Sequence, residues 1–184
     1  STIAILPGSL LSSAPNSKLR TAHIGVGGMG KADLTSIASH PRVEVAALCD
    51  VDSDRLRAMK QVFPNARVFS DYRELFSAMG DSIDAVSVST PDHTHAPASM
   101  MAMNLGKPVY CQKPLTHDVY EARQMRLLSE KKGLITQMGI QIHSRAVYRK
   151  SVQMIQDGVI GKVKRVHAWS NKNWGYDGPA FGGE

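Results

Sequence analysis

Cysteine is nearly missing from this chain: its 184 residues contain two, Cys49 and Cys111. Neither belongs to a CxxC pair or to a zinc-like spacing, so a disulfide framework and a structural zinc are not expected. Buried free thiols are the expected state. Aromatic residues are scarce at 6% of the total, which argues against a platform for stacking nucleic-acid bases. The net charge of +6 comes without any run of Lys or Arg longer than a pair. The positive excess is therefore scattered, and no nucleic-acid partner is expected. No stretch approaches the ~20 apolar residues of a membrane span. An initiator Met is lacking, and the chain stops at PAFGGE without a terminating element; both features read as a fragment of a longer protein.

What is present is an ordinary globular composition, 42% apolar, with enough length for one domain and a little more. The first 17 residues, STIAILPGSLLSSAPNS, carry no charge. They read either as a disordered leader or as the remnant of an export signal. The first reading gives a cytoplasmic protein, the second an exported one.

The sequence is organised around Leu19–Gly30, LRTAHIGVGGMG. A short apolar strand runs into Gly25, Gly27 and Gly30, and Leu34, Ile37 and Ala38 then recur at helix spacing. Strand, Gly-x-Gly-x-x-Gly and helix make the phosphate-binding turn of a dinucleotide fold; a plain Gly-rich turn is the bland alternative. Gly25 permits the tight turn, Gly27 lets a pyrophosphate approach the backbone, and Gly30 lets helix and strand pack closely. The amides of Gly28, Met29 and Gly30 would face the phosphates.

The strand Val43–Asp50 (VEVAALCD) ends in an acid close to the spacing at which a carboxylate binds the adenosine ribose. Asp50 there favours NAD over NADP, whose 2′-phosphate it would repel, although Asp50 can also read as a helix cap. Arg55 can lie over adenine or accept a 2′-phosphate, so NADP stays open. Further strands are expected at Ala66–Phe69, Ile83–Thr90, Lys107–Gln112 and Leu134–Met138. Helices are expected at Arg55–Val62, Asp71–Met79, Ala96–Asn104, Asp118–Lys132 (capped by Thr116) and Ala146–Asp157. A strand-like pattern opens at Lys162.

Six strands alternating with helices imply a Rossmann-type, doubly wound parallel sheet of order 3-2-1-4-5-6, with its ligand crevice at the carboxyl ends of the strands. The glycine turn, Asp50, Thr90–His95 and Gln112–Pro114 all fall at such ends. Pro91 and Pro114 fix the direction in which the chain leaves strands 4 and 5. Lys113 is thereby aimed over the crevice as a candidate proton-transfer residue, with a pKa lowered by partial burial and a cationic nicotinamide; a surface lysine before a turn is the alternative. His93 and His95 flank Thr94. Apart from Asp92 no third ligand is in view, so no metal site is expected and hydrogen bonding to cofactor or helix start is the preferred role. His23, His40, His117, His143 and His167 form no pattern.

Together, GVGGMG, STPDHTHA, LGKPVYCQKPL and GVIGKVKRV resemble the glucose–fructose oxidoreductase / inositol dehydrogenase / MocA (Gfo/Idh/MocA) family, over about residues 18–175. The resemblance implies that Thr90-Pro91 and His93–His95 lie beside the nicotinamide. Lys113 would be the lysine of a Glu-Lys-Pro motif at substrate and cofactor, and Gln141 an amide near the nicotinamide. The chain departs from the family at Gln112, where Glu is usual; the amide can bond a ribose hydroxyl but supplies no charge to Lys113. The implied activity is NAD-dependent hydride transfer to or from a sugar, polyol or related hydroxy compound, in a homo-oligomer. A non-catalytic dinucleotide-binding module and an NAD-dependent glycosidase are the alternatives. The implied organisation is a leader (1–17), a dinucleotide-binding domain (18–160) and the start of a truncated α+β substrate domain (161–184), whose first strand spans about Lys162–Asn173.

Overall fold

A computed structural model describes residues 18–169. They begin with a six-stranded, wholly parallel sheet of order β3-β2-β1-β4-β5-β6. Its strands are β1 (Leu19–Ile24), β2 (Val43–Cys49), β3 (Arg67–Phe69), β4 (Ala85–Val88), β5 (Val109–Gln112) and β6 (Thr136–Gly139). Five connecting helices follow the expected alternation: α1 (Gly28–Ala38), α2 (Ser53–Val62), α3 (Tyr72–Met79), α4 (His95–Asn104) and α5 (Val119–Lys132). The observed strands are one to four residues shorter than the apolar runs that announce them, because ladder pairing stops where neighbouring strands part.

Successive side chains of a strand point to opposite faces, and both faces here are covered. Ala47 and Cys49 of β2 join Ala22, Ile24, Val86 and Val88 in a core roofed by α3, α4 and α5. Leu48, between them, packs with Val26, Leu34 of α1 and Met59 of α2 on the other face. This is why β2 and β4 read as nearly continuous apolar runs rather than as alternating ones. The sheet thus sets its carboxyl ends along one edge: Ile24, Cys49, Phe69, Val88, Gln112 and Gly139.

Helix starts are marked by aspartates. Asp52 accepts the N–H groups of Asp54 and Arg55, and Asp71 that of Arg73. Asp118, not Thr116, caps α5 by accepting the Glu121 N–H. Glu121 in return accepts the N–H of His117, a reciprocal arrangement that a carboxylate three residues inside the helix favours over a lone hydroxyl.

The chain divides into two compact units, the first ending at Ile140 and the second beginning at Gln141. The break precedes the expected boundary at residue 160. In the second unit, a short helix α6 (Gln141–Ser144), which the sequence pattern did not announce, leads into α7 (Ala146–Gln156). The expected strand at Lys162–Asn173 is not seen where it can be checked: residues 162–169 carry no strand, and 170–173 lie outside the described residues. A strand exists only against a partner, and the described residues offer this segment none. The expected leader also lies outside them.

Candidate active site

The turn after β1 is built by exclusion. Gly25 has a φ of +82°, and a Cβ there would stand 2.5 Å from the Ser89 carbonyl oxygen at the end of β4. Gly30 faces the Gly25 carbonyl so closely that no side chain fits. The first turn of α1 is therefore drawn against β1 and the β4 loop at once. Gly27 is its N-cap, and no side chain bonds the free amides there. The contrast with the Asp-capped α2, α3 and α5 is direct: no side chain caps the first turn of α1, which leaves its amides free for an anion.

A cleft of about 270 Å³ opens at this turn. Gly25 and Gly27 line it from the β1 turn, Asp50 and Arg55 from the end of β2, and Thr90, Pro91 and His93 from the loop after β4. Seven of the residues singled out in the sequence thus meet in one space. Ser70 and Tyr72, after β3, complete the wall beside Asp50; Tyr72 falls within the expected helix Asp71–Met79 and neither was singled out as a site residue.

Asp50 is buried, with its carboxylate tied to the backbone. Oδ2 accepts the N–H of Val26 at 2.8 Å, and Oδ1 accepts that of Asp52 at 3.0 Å. Each oxygen keeps a lone pair for a further donor. Helix capping thus falls to Asp52, which frees Asp50 for the ligand side. Arg55 pairs with Asp52 at 3.2 Å, and its side chain passes directly over the Gly27 Cα.

Other expected residues stand outside this cleft. Gly28, Met29 and Gly30 belong to α1 behind its rim, with Met29 half exposed. His95 is 1% exposed and turns inward rather than toward a ligand. Its Nδ1 lies 2.6 Å from the Pro114 carbonyl oxygen and its Nε2 2.7 Å from that of Thr90. The ring therefore bridges the loops after β4 and β5. His93 faces the cleft, so the two histidines do not share a ligand. Among the described residues no three His, Cys, Asp or Glu side chains converge as metal ligands.

Lys113 is exposed, contrary to the expected partial burial, because the chain leaves the sheet at Gln112 and turns outward. Gln112 is 4% exposed and bonded on both ends of its amide: Nε2 donates to Asp33 Oδ2 at 3.0 Å, and Oε1 accepts the Lys113 N–H at 2.8 Å. Asp33, on α1, also accepts the Ser89 hydroxyl at 2.8 Å. It is a polar residue of the site that the sequence reading missed. Its signal was position: it lies one helical turn beyond Gly30, on the face that packs toward the sheet. Gln141 belongs to the second unit, where it opens α6.

Both cysteines are free and buried. Burial pushes the Cys49 thiol up to about 12 and the Cys111 thiol up to about 11, so neither is a nucleophile at neutral pH.

These residues fit a dinucleotide: a cradle that side chains would fill, bare helix amides, and a carboxylate one strand away. Comparison with known proteins agrees. Residues 19–140 match the model of an oxidoreductase family with an NAD-binding Rossmann fold, GFO_IDH_MocA. The chain is 32% identical over 151 residues to inositol 2-dehydrogenase of Arthrobacter sp. (strain FB24), covering 81% of this chain and 44% of that protein. It is 29% identical over 148 residues to D-apiose dehydrogenase of Paraburkholderia graminis, covering 78% and 38%. Among solved structures, myo-inositol 2-dehydrogenase from Lactobacillus plantarum superposes with a TM-score of 0.72 at 28% identity, covering 80% of this chain and 43% of that one. Scyllo-inositol dehydrogenase from Lactobacillus casei, solved with NAD(H) and scyllo-inositol, gives a TM-score of 0.70 at 26% identity, covering 79% and 43%. The chain spans less than half the length of these relatives. With its sheet order, its glycine turn and this match over residues 19–140, the chain belongs to the Gfo/Idh/MocA oxidoreductase family.

Proposed function

We propose that this chain is the cofactor-binding portion of an NAD-dependent oxidoreductase acting on a sugar, a polyol or a related hydroxy compound. The carrying observation is the convergence of the glycine turn, Asp50 and the Thr90–His93 loop on one cleft. The names of the relatives, inositol and apiose dehydrogenases, support the substrate class.

The α1 amides would bind the pyrophosphate, helped by the helix dipole. Asp50 would accept hydrogen bonds from the adenosine ribose hydroxyls, and its charge would disfavour a 2′-phosphate. Arg55 would cover the diphosphate or adenine from above Gly27; its presence in the cleft is what keeps NADP within reach. Thr90, Pro91 and His93 would line the nicotinamide side. When bound, NAD⁺ supplies the hydride acceptor. Lys113 Nζ would take the proton from the substrate hydroxyl as its carbon is oxidised, and return it in the reverse direction. Residues 161–184 would open the substrate domain.

Two free, buried thiols suit a reducing compartment, which favours a cytoplasmic location. Among the described residues no helix is long and apolar enough to cross a membrane. The family resemblance supports a homo-oligomer.

Titration with NADH and NADPH, followed by nicotinamide fluorescence, tests the cofactor assignment. Saturable binding of NADH, tighter than of NADPH, is expected. Absence of saturable binding by either rejects it.

A further inference from the structure

Gln112 closes β5, buried and hydrogen-bonded at both ends of its amide. A primary amide has a donor end and an acceptor end. Here both are matched: Nε2 to the Asp33 carboxylate, Oε1 to the Lys113 N–H. Asp33 is 7% exposed, and among the described residues no Lys or Arg pairs with it. Its Oδ2 is served by two neutral donors, the Ser89 hydroxyl and the Gln112 amide. The pocket is closed from β6, where a Cβ at Gly139 would stand 3.1 Å from Gln112 Cδ and 2.5 Å from the Tyr110 hydroxyl oxygen.

A glutamate at position 112 has no donor to offer Asp33. Its carboxylate would face a second one about 3 Å away, where both cannot stay ionised. While a glutamate there is ionised, only the amide matches Asp33.

We propose that Asp33 and Gln112 form a matched carboxylate–amide pair that positions Lys113. Asp33 orients the Gln112 amide, and the amide holds the backbone of Lys113 as the chain leaves β5. Gln112 is then a positioning residue, not a ribose ligand. Asp33 joins α1 to the ends of β4 and β5 through one side chain, so the helix that opens at the glycine turn and the proton-transfer lysine share an anchor. The importance of Lys113 rests on the reading given under Proposed function; the pairing itself does not. Besides Asp33, the titratable groups facing this amide are the Tyr110 phenol from β5 and Lys113 itself. Burial, and after it the charge of Asp33 and a hydrogen bond to it, raises the Tyr110 pKa, so the phenol stays a neutral donor and brings no positive charge to balance an added carboxylate.

A four-member cycle tests the pair: the natural chain, Gln112→Glu, Asp33→Asn, and the double variant Asp33→Asn/Gln112→Glu. The double variant restores one carboxylate and one amide with their places exchanged. Urea midpoints are measured near pH 8 and pH 5. Gln112→Glu should lose midpoint at the higher pH and recover part of it at the lower, because a carboxylate whose folded pKa is raised costs stability only once pH passes through its titration. The double variant should recover at both. A deficit in Gln112→Glu that ignores pH, or one the double variant leaves in place, overturns the pair. If Gln112→Glu does not fold near pH 8, recovery in the double variant still decides.

Acetic anhydride labelling of Lys113, mapped by mass spectrometry against Lys131 as internal reference, tests positioning. Its pH profile should shift in Gln112→Glu and in Asp33→Ala while that of Lys131 stays fixed; an unshifted Lys113 profile overturns the positioning role. Both measurements omit substrate and cofactor. Their failure rejects this pairing alone, whereas failure to bind NADH rejects the functional reading alone.

Discussion

The carboxylate of Asp50, at the end of the second strand, accepts the backbone N–H of Val26, in the turn after the first, at 2.8 Å. The residue that would select the cofactor thus also shapes its phosphate cradle. Replacing Asp50 by Ala removes both contributions. NADH binding should weaken more than NADPH binding, since the hydroxyl acceptor and the repulsion of a 2′-phosphate disappear together. Stability should fall by roughly 1–3 kcal/mol, the cost of leaving a buried amide without its acceptor. Fluorescence titration with both cofactors checks the first outcome and urea unfolding the second. Equal losses for NADH and NADPH would remove Asp50 from the ribose.

Gly25 carries a second expected failure. An alanine there meets a positive φ and a backbone oxygen at 2.5 Å. The obstacle is the Ser89 carbonyl, which cannot swing aside as a side chain can. Gly25→Ala should cost of the order of 1–3 kcal/mol through backbone strain and push the β1 turn away from the β4 loop. NADH affinity should drop with it. Gly28→Ala is the control: a Cβ there meets open space, although its own positive φ retains a strain cost. Retained NADH affinity in Gly25→Ala would mean that the turn tolerates widening.

The sheet was legible because each strand is a short apolar run and each helix repeats at its own period; order and ligand edge then follow from alternation. Asp50 was legible because it ends a strand. Asp33 was not. One acid on a helix looks solvated until β4 and β5 are known to lie beside that helix, a relation that spans 79 residues. The inward turn of His95 was hidden for the same reason: its partners are backbone carbonyls, which sequence does not display. The predicted cap Thr116 lost to Asp118 because two candidates stood two residues apart and only the acid had a Glu three positions on. At Lys162 the β pattern was present, but a pattern becomes a strand only beside another strand.

His95 ties the loops that the functional reading assigns to the nicotinamide side. In His95→Phe, both carbonyls, of Thr90 and of Pro114, lose their bridge, while the bulk of the ring is kept. Amide hydrogen exchange should rise in residues 89–95 and 113–118 and stay unchanged at the β1 turn. Stability should fall by about 1–3 kcal/mol. Unchanged exchange in either loop would show that the bridge is dispensable.

The other buried histidine gives the fold a pH limit. His23 of β1 is 1% exposed, with Nε2 2.9 Å from the Thr21 hydroxyl and Nδ1 without a partner among the described residues. Burial lowers its pKa to about 4, against an unfolded value of about 6.5. Between these values the unfolded chain binds a proton that the folded chain refuses, so stability rises with pH across that window and is lost as pH falls through it. The full shift corresponds to roughly 3 kcal/mol. Urea midpoints measured from pH 7 down to pH 4 should decline, and His23→Gln, which cannot take up a proton, should remove this part of the slope while costing stability at pH 7. A slope identical to that of the natural chain would assign acid sensitivity to other groups.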